Sequence, residues 1–346
     1  MIRNNFLDCG APHLYNEFVR KFKNKNVKGA SIADRQFDDF SFTETDFYKQ
    51  YRNNYICFIQ EYGKYITQYS NLDVINNPEK TWENQQILEK EGLHPIPVYH
   101  FGCDIKWLKH YLDKGYDYIA IGGMIPNPTS VLIPALDEIW SNYLTDQDGM
   151  PLVKIHGFAL TSSRLMVRYP WFSVDSTSWV LVSAYGRIFV PVIREKKPIY
   201  NGTPWIVALS SRSPTRKDLG KHLSTYSPME QDLIMGYIRS KGFDLGKSEY
   251  KEENRKTYKL KEGEYWFNKQ RADELGDQVD FCLTANENEN LIEVIVERGL
   301  SNDYVQRDEM NIIYFTDFQK SQPPWPYPFK LKQESKTTKI KGFGLK

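Results

Sequence analysis

Long apolar runs are missing from this chain. No window approaches ~20 uninterrupted apolar residues, so no membrane span is expected. The opening MIRNNFLDCG lacks the apolar stretch of a signal peptide. Cysteine is scarce: Cys9, Cys57, Cys103 and Cys282 lie far apart with no C-x-x-C pair, which argues against a disulfide framework or a zinc knuckle and fits a reducing cytoplasm. No G-x-G-x-x-G follows the first strand-like segment, which weakens a dinucleotide-binding reading. Metal chemistry finds little to use, with no H-x-H after the first strand, no H-E-x-x-H and no cysteine cluster; His100, His156 and Asp175 remain a set that could in principle meet on an ion. An excess of one charge is absent too, since 45 Lys and Arg face 44 Asp and Glu.

The 346 residues suffice for one large domain or two ordinary ones. Charge is uneven along them. Arg194–Lys221 is basic, and from Lys330 onward six lysines face one glutamate, so both stretches could meet phosphates or be solvated faces. Aromatics are plentiful, with 23 Tyr and 19 Phe.

Through Asp175 the chain alternates strand-like and helix-like segments. The strands are NNFLDCG ending at Asp8, QYSNLDVI ending near Asp73, HPIPVYHFG ending at His100, YDYIAIGG ending in Gly122 and Gly123, LVKIHGFA ending at His156, and WFSVDST reaching Asp175. Between them lie FYKQYRNNYICFIQEYGKYI, NPEKTWENQQILEKEGL with an Asn77–Pro78 start and a Gly92 stop, CDIKWLKHYLDKG, SVLIPALDEIWSNYL and the short SSRLMVRY, all with helical character. Helix-length connections imply parallel pairing, hence a doubly wound sheet or a (β/α)8 barrel. Six polar or special residues at successive strand ends favour the α/β TIM barrel, whose strand ends converge on one rim.

In the second half GRIFVPVI, PWIVALS and NIIYFTDF read as strands, one or two of them closing the barrel. About 242–290 reads as a charged, helical insertion with EGEYWFNKQRADEL its clearest helix, and QPPWPYPF as a rigid strap. This gives one barrel domain over 1–327 and a basic, flexible tail over 328–346.

Two carboxylates across a pocket are the equipment for breaking a glycosidic bond. Asp175 and Asp8 are the candidates. Ser173, Ser176 and Thr177 could donate to Asp175 and keep it ionised, although Asp175 could equally cap the following helix. Asp8, in the apolar FLDCG, would be the proton shuttle. Asp73 and His100 interrupt apolar runs and need partners, which the edge of a flat heterocycle would supply. Gly122 and Gly123 allow close approach to a planar ligand, or form a tight turn. His156 could contact a phosphate or satisfy a buried carbonyl.

FLDCGA, NLDVINNPEKTWENQ, PIPVYHFG, YIAIGGM, KIHGFALTS and RYPWFSVDSTSW, running in order from about Phe6 to Trp179, resemble the tRNA-guanine transglycosylase superfamily. The likeness is greatest to its DNA-modifying branch, the DpdA-type 7-deazaguanine transglycosylases of phages and bacterial modification islands, and it continues more faintly at NIIYFTDFQKS. The resemblance implies a TIM barrel that exchanges guanine in DNA for a 7-substituted 7-deazaguanine base, with no cofactor. Its partners would be DNA, free 7-cyano-7-deazaguanine or a derivative, and any helper proteins that open the duplex, in a bacterial or phage-infected cytoplasm and away from the membrane. By position Asp175 looks like the nucleophile, Asp8 like the second carboxylate of an Asp-Ser-Gly motif, Asp73 like the acid on the base edge, His100 like a stand-in for a base-reading Gln, and Gly122 and Gly123 like the glycine pair beside the base. Two features depart from the pattern. CGAPH places Cys9 and Pro12 where the family usually continues with Tyr or Phe, which puts the pocket shape there in question. Only Cys282 stands where the tRNA enzymes carry a zinc set, which favours DNA over tRNA. A zinc-free tRNA-guanine transglycosylase and a non-catalytic nucleic-acid-binding paralogue are the alternatives.

Overall fold

The computed structural model describes residues 6–10, 14, 17, 40–160, 162–195, 197–210, 219–266 and 291–330. The Lys-rich tail beyond 330 and most of Arg212–Lys221 lie outside them, as does Cys282. The chain divides into two compact units, one of 1–158, 168–174 and 325–346, the other of 159–167 and 175–324.

The first unit is built on six parallel strands in chain order. They are β1 (Phe6–Leu7), β2 (Gln68–Tyr69), β3 (Val98–His100), β4 (Tyr118–Gly122), β5 (Lys154–Gly157) and β6 (Ser173–Val174). β1 pairs with β2, and β3, β4, β5 and β6 pair in turn, all parallel. A parallel bridge between Ser70 and Ile96 joins the two sets, with Ile96 N–H donating to Tyr69 O at 2.9 Å. Helices α1 (Asp46–Tyr62), α2 (Pro78–Lys90), α3 (Lys106–Asp113) and α4 (Thr129–Ile139) fill the connections. Their ends follow the sequence signals. The Asn77 side chain accepts from Lys80 N ahead of Pro78 at N1, and Gly92 and Gly115 take φ of 77° and 81° just past the ends of α2 and α3. On β4, Ile119, Ala120 and Ile121 are all buried, as in a parallel sheet covered on both faces.

The sheet is rolled. β1 and β5 are four strands apart, a separation of roughly 19 Å in a flat sheet at ~4.8 Å per step. Yet the Phe6 and His156 rings stack with centroids 4.4 Å apart. Phe6 also packs with Val98 and Ala120 of β3 and β4. The parallel α/β sheet is thus as expected in order and direction, and it curls enough for Phe6 of β1 to meet His156 of β5 across its inner face.

The second unit contains α5 (Ser163–Arg168) except its last residue, then α6 (Ser178–Ala184), β7 (Arg187–Val190), β8 (Val192–Arg194), β9 (Lys197–Ile199), β10 (Trp205–Ala208), α7 (Pro228–Ser240), β11 (Lys247–Glu252), β12 (Glu264–Trp266), β13 (Leu291–Glu297) and α8 (Tyr304–Ser321). β7 and β10 are strands, as expected, but antiparallel to each other, so both cannot be staves of an all-parallel barrel. Their apolar side chains share a core with Ile234 and Ile238 of α7 and Met310 of α8.

Two expectations are corrected here. NIIYFTDF is helix, part of α8, because its buried positions Met310, Asn311, Tyr314 and Phe318 recur at helical spacing. Asn311 fixes that face by accepting from Phe189 N at 2.9 Å and donating to Trp179 O at 3.0 Å. In EGEYWFNKQRADEL, Glu264–Trp266 is strand β12, paired antiparallel to β13, while β11 pairs on the other side of β13. Gly263, at φ 78°, interrupts any helix starting at Glu262, and the Tyr–Trp pair suits a pleated surface. The rest of that segment lies outside the described residues.

The aromatic strap belongs to the first unit. Trp325 Nε1 donates to Pro170 O at 3.1 Å, Tyr327 OH to Tyr169 O at 2.9 Å, and Phe329 N to Gly149 O at 2.8 Å.

Candidate active site

Because the six strands are parallel neighbours, their carboxyl ends lie along one edge of the rolled sheet. Asp8 directly follows β1, Asp73 lies just past β2, His100 and Gly122 end β3 and β4, and His156 precedes the last residue of β5. Asp175 is the first residue after β6 and belongs to the second unit.

Asp73 is the best-held of these groups. Cys9 Sγ donates to its Oδ1 at 2.9 Å, and His100 Nε2 lies 2.7 Å from its Oδ2. The loop carrying Asp73 is stapled by polar groups of α2: Val74 N donates to Thr81 Oγ1 at 2.9 Å, and Asn84 Nδ2 to Leu72 O at 2.7 Å. Asn71 returns the contact, donating to Thr81 O at 2.7 Å. All three side chains are buried, so each bond replaces water and fixes the loop.

Cys9 is fixed on the other side. Its N–H donates to Ser70 Oγ at 3.2 Å, and Tyr51 OH donates to its carbonyl at 2.8 Å. Burial, then the nearby charges of Asp73 and Asp8, push the Cys9 thiol well above its ordinary range. It therefore stays protonated and serves Asp73 as a donor. The apolar setting expected around Asp8 surrounds Cys9 instead, and Asp8 itself is exposed, with Gly10 N donating to its Oδ1 at 3.2 Å. Gly10 is required there: its φ is 70°, and a Cβ would stand 3.3 Å from Tyr51 Oη.

Gly122 and Gly123 make room for His100. A Cβ on Gly122 would lie 3.4 Å from the His100 Cδ2, and one on Gly123 3.5 Å from the His100 Cβ. His100 is buried, and its Nδ1 has no hydrogen-bond partner among the described residues. When the proton of a neutral ring sits on Nε2 toward Asp73, Nδ1 is left as a lone-pair acceptor.

His156 lies within the roll, below the strand ends. Its Nδ1 is 2.6 Å from Ser173 Oγ, which is 2.5 Å from Tyr118 OH. That chain of side chains occupies Ser173, one of the hydroxyls expected to serve Asp175. Ser176 Oγ donates to Ser178 Oγ at 2.8 Å. Asp175 receives a backbone donor, Ala159 N, at 2.7 Å from its Oδ1. Ala159 sits at φ 51°, a left-handed conformation that costs ~1 kcal/mol or more for a residue with a Cβ. The N-cap position of α6 is Thr177, not Asp175.

Thr81, Asn84 and Tyr118 carry no expectation from the sequence, and Cys9 stands out there only as a departure from the family pattern, not as a donor to Asp73. Thr81, Asn84, Gln85 and Leu88 recur at i, i+3, i+4 and i+7, so a polar stripe on the inner face of α2 was there to be read. Among the described residues no group of three His, Cys, Asp or Glu side chains is arranged to hold a metal ion, and no helix is long and apolar enough to cross a membrane. In comparisons with known proteins, no family model, no curated protein and no solved structure matches the chain.

Proposed function

We propose that this chain is a DNA guanine transglycosylase, exchanging guanine for a 7-substituted 7-deazaguanine on the rim of a (β/α)8 barrel in the bacterial or phage-infected cytoplasm. The observation that carries the reading is the rolled run of six parallel strands in chain order, which lines the first unit's strand-end residues Asp8, Asp73, His100 and Gly122 along one edge. The family resemblance names the chemistry at that edge.

In this mechanism a target guanosine leaves the base stack, at a cost of a few kcal/mol, and its base meets Asp73. A carboxylate already ordered by Cys9 and His100 still has lone pairs for the N–H edge of guanine. Asp175 attacks C1′, the C1′–N9 bond breaks, and Asp8 donates a proton to departing guanine. The incoming base gives its N9 proton to Asp8, N9 attacks C1′, and the Asp175 ester bond breaks. Two inversions retain the configuration, and one glycosidic bond replaces another, so no energy source or cofactor enters. The Ala159 N–H stabilises Asp175 as a leaving carboxylate in the second step.

The test is release of labelled guanine from DNA on addition of a 7-deazaguanine base, with Asp175→Asn as the variant. The expected loss is at least about a thousandfold. Wild-type exchange by Asp175→Asn would overturn the nucleophile assignment. Mass spectrometry of nucleosides from DNA and RNA of cells making the protein separates the DNA enzyme from a tRNA enzyme and from a non-catalytic binder.

A further inference from the structure

The second unit carries a concentration of positive charge outside the two basic stretches noted in the sequence. The loop between β11 and β12, residues 253–263, contains NRKTYKLK, Asn254–Lys261, a run of four cations without an acid that is flanked by Glu253 and Glu262. Lys256, Lys259 and Lys261 are exposed and Arg255 half-buried. None of the four makes an ion pair among the described residues, whereas nearby Lys247 pairs with Glu249 and Lys251 with Glu264.

The arrangement is built rather than accidental. The buried acid of this region, Glu264, is taken up from inside: Lys251 Nζ reaches it at 2.6 Å, Tyr258 OH at 2.9 Å and the Lys261 backbone N–H at 3.0 Å. Lys251 is the main cause that holds the Glu264 carboxyl down to about 2. That carboxylate is therefore occupied, and Glu253 faces Lys251 at 3.9 Å, so within the loop four cations outnumber the one remaining acid, Glu262. The turn itself is fixed by Asn254, whose carbonyl accepts from Thr257 N at 3.1 Å and Tyr258 N at 2.8 Å, and whose Oδ1 accepts from Lys256 N at 3.0 Å. Arg255 lies over the Trp266 ring, 5.8 Å from its centroid, so one of the four charges is anchored on the sheet.

Four like charges held close together repel one another, and an anion relieves that repulsion. A small anion would meet one or two of them. Eight residues span at most about 28 Å, and duplex DNA carries one charge per ~1.7 Å of axis, so a phosphodiester backbone presents several phosphates within reach of one loop. We propose that the β11–β12 loop is a sequence-independent docking site for the DNA backbone, engaged through Arg255, Lys256, Lys259 and Lys261. The proposal takes its class of partner from the transglycosylase reading, but docking requires neither Asp175 nor Asp8.

The experiment uses the full chain and a short fluorescein-labelled DNA duplex, with anisotropy followed as salt is raised. The variant replaces all four cations, Arg255→Gln, Lys256→Gln, Lys259→Gln and Lys261→Gln. A control with the same change of net charge carries Lys49→Gln, Lys64→Gln, Lys90→Gln and Lys114→Gln. The loop variant is expected to bind at least about tenfold more weakly, with the slope of log K against log salt shallower by about 2 to 4, while the control stays within about twofold. On the wild-type protein, lysine acetylation footprinting should show Lys256, Lys259 and Lys261 protected by the duplex. Unchanged affinity and slope, equal weakening of the control, or no protection would overturn the proposal. So would loss of binding to phosphatidylserine vesicles with DNA affinity intact, which would assign the surface to a membrane. If the loop variant loses DNA but Asp175→Asn keeps wild-type exchange, the transglycosylase reading falls and the docking site stands. If the loop variant keeps DNA but Asp175→Asn loses exchange, the docking site falls and the transglycosylase reading stands.

Discussion

The Cys9 thiol donates to Asp73 from a site only 1% exposed, and its protonation state sets what Asp73 can accept. Its folded value is raised, so the unfolded chain surrenders this proton first. The stability associated with the protonated thiol is whole below the unfolded value of ~8.5 and is lost as pH rises above it. Serine at this position keeps a donor that does not titrate. Cys9→Ser is therefore expected to gain on the wild type by up to ~1.4 kcal/mol per pH unit above ~8.5, read as the difference in urea midpoints multiplied by m. Cys9→Ala removes the donor and should cost about 1–3 kcal/mol at neutral pH. His100 makes a parallel case. His100→Ala strips Asp73 Oδ2 of its partner and opens a cavity beside Gly122, with an expected loss of about 2–4 kcal/mol. His100→Gln keeps an amide donor and should lose less than half of that in the same denaturation measurement. Asp73 and His100 were legible in the sequence as polar residues inside apolar runs. Cys9 was not, because a lone cysteine reads as a small apolar residue until the carboxylate beside it is seen.

Elements with capping signals at both ends were read closely: Asn77–Pro78 and Gly92 bound α2 to within a residue or two of the expected limits. The errors fell where a short apolar run lacked such punctuation. NIIYFTDF looks like a strand in eight residues, and only the wider window from Asp303, whose side chain accepts from Val305 N, shows the helical stripe. EGEYW failed the opposite way, since its partner strand β13 is separated from it in sequence by more than twenty residues and pairing of that kind leaves no local trace. The α8 assignment rests heavily on Asn311. Asn311→Leu fits an apolar side chain into the same space but leaves Phe189 N and Trp179 O without their bonds. An expected cost of about 3 kcal/mol, seen as a lower urea midpoint with unchanged slope, tests it. If Asn311→Leu were neutral, the side-chain bridge would be a bystander to the packing of Met310 and Tyr314.

At the scale of the molecule, net charge carried no information, while its distribution did: +1 overall conceals a run, Asn254–Lys261, with four cations and no acid, set between Glu253 and Glu262. The strand-end pattern, by contrast, was informative because it tied six separated positions to one geometric idea. The roll of the sheet is the physical content of that idea, and it can be measured in solution. In a flat sheet Phe6 and His156 would be strangers, and truncating one would leave the cost of truncating the other unchanged. In the rolled sheet their rings stack at 4.4 Å, and Phe158 meets both, at 6.0 Å and 4.6 Å. A double-mutant cycle of Phe6→Leu and His156→Ala is therefore expected to show a coupling of about 0.5–1.5 kcal/mol, the range for a stacked aromatic pair. His156→Ala also releases Ser173 and Tyr118, but that loss is common to both arms of the cycle and cancels. A coupling within error of zero would mean that β1 does not fold over toward β5, and the six strands would form an open sheet with the same strand ends along a straighter edge.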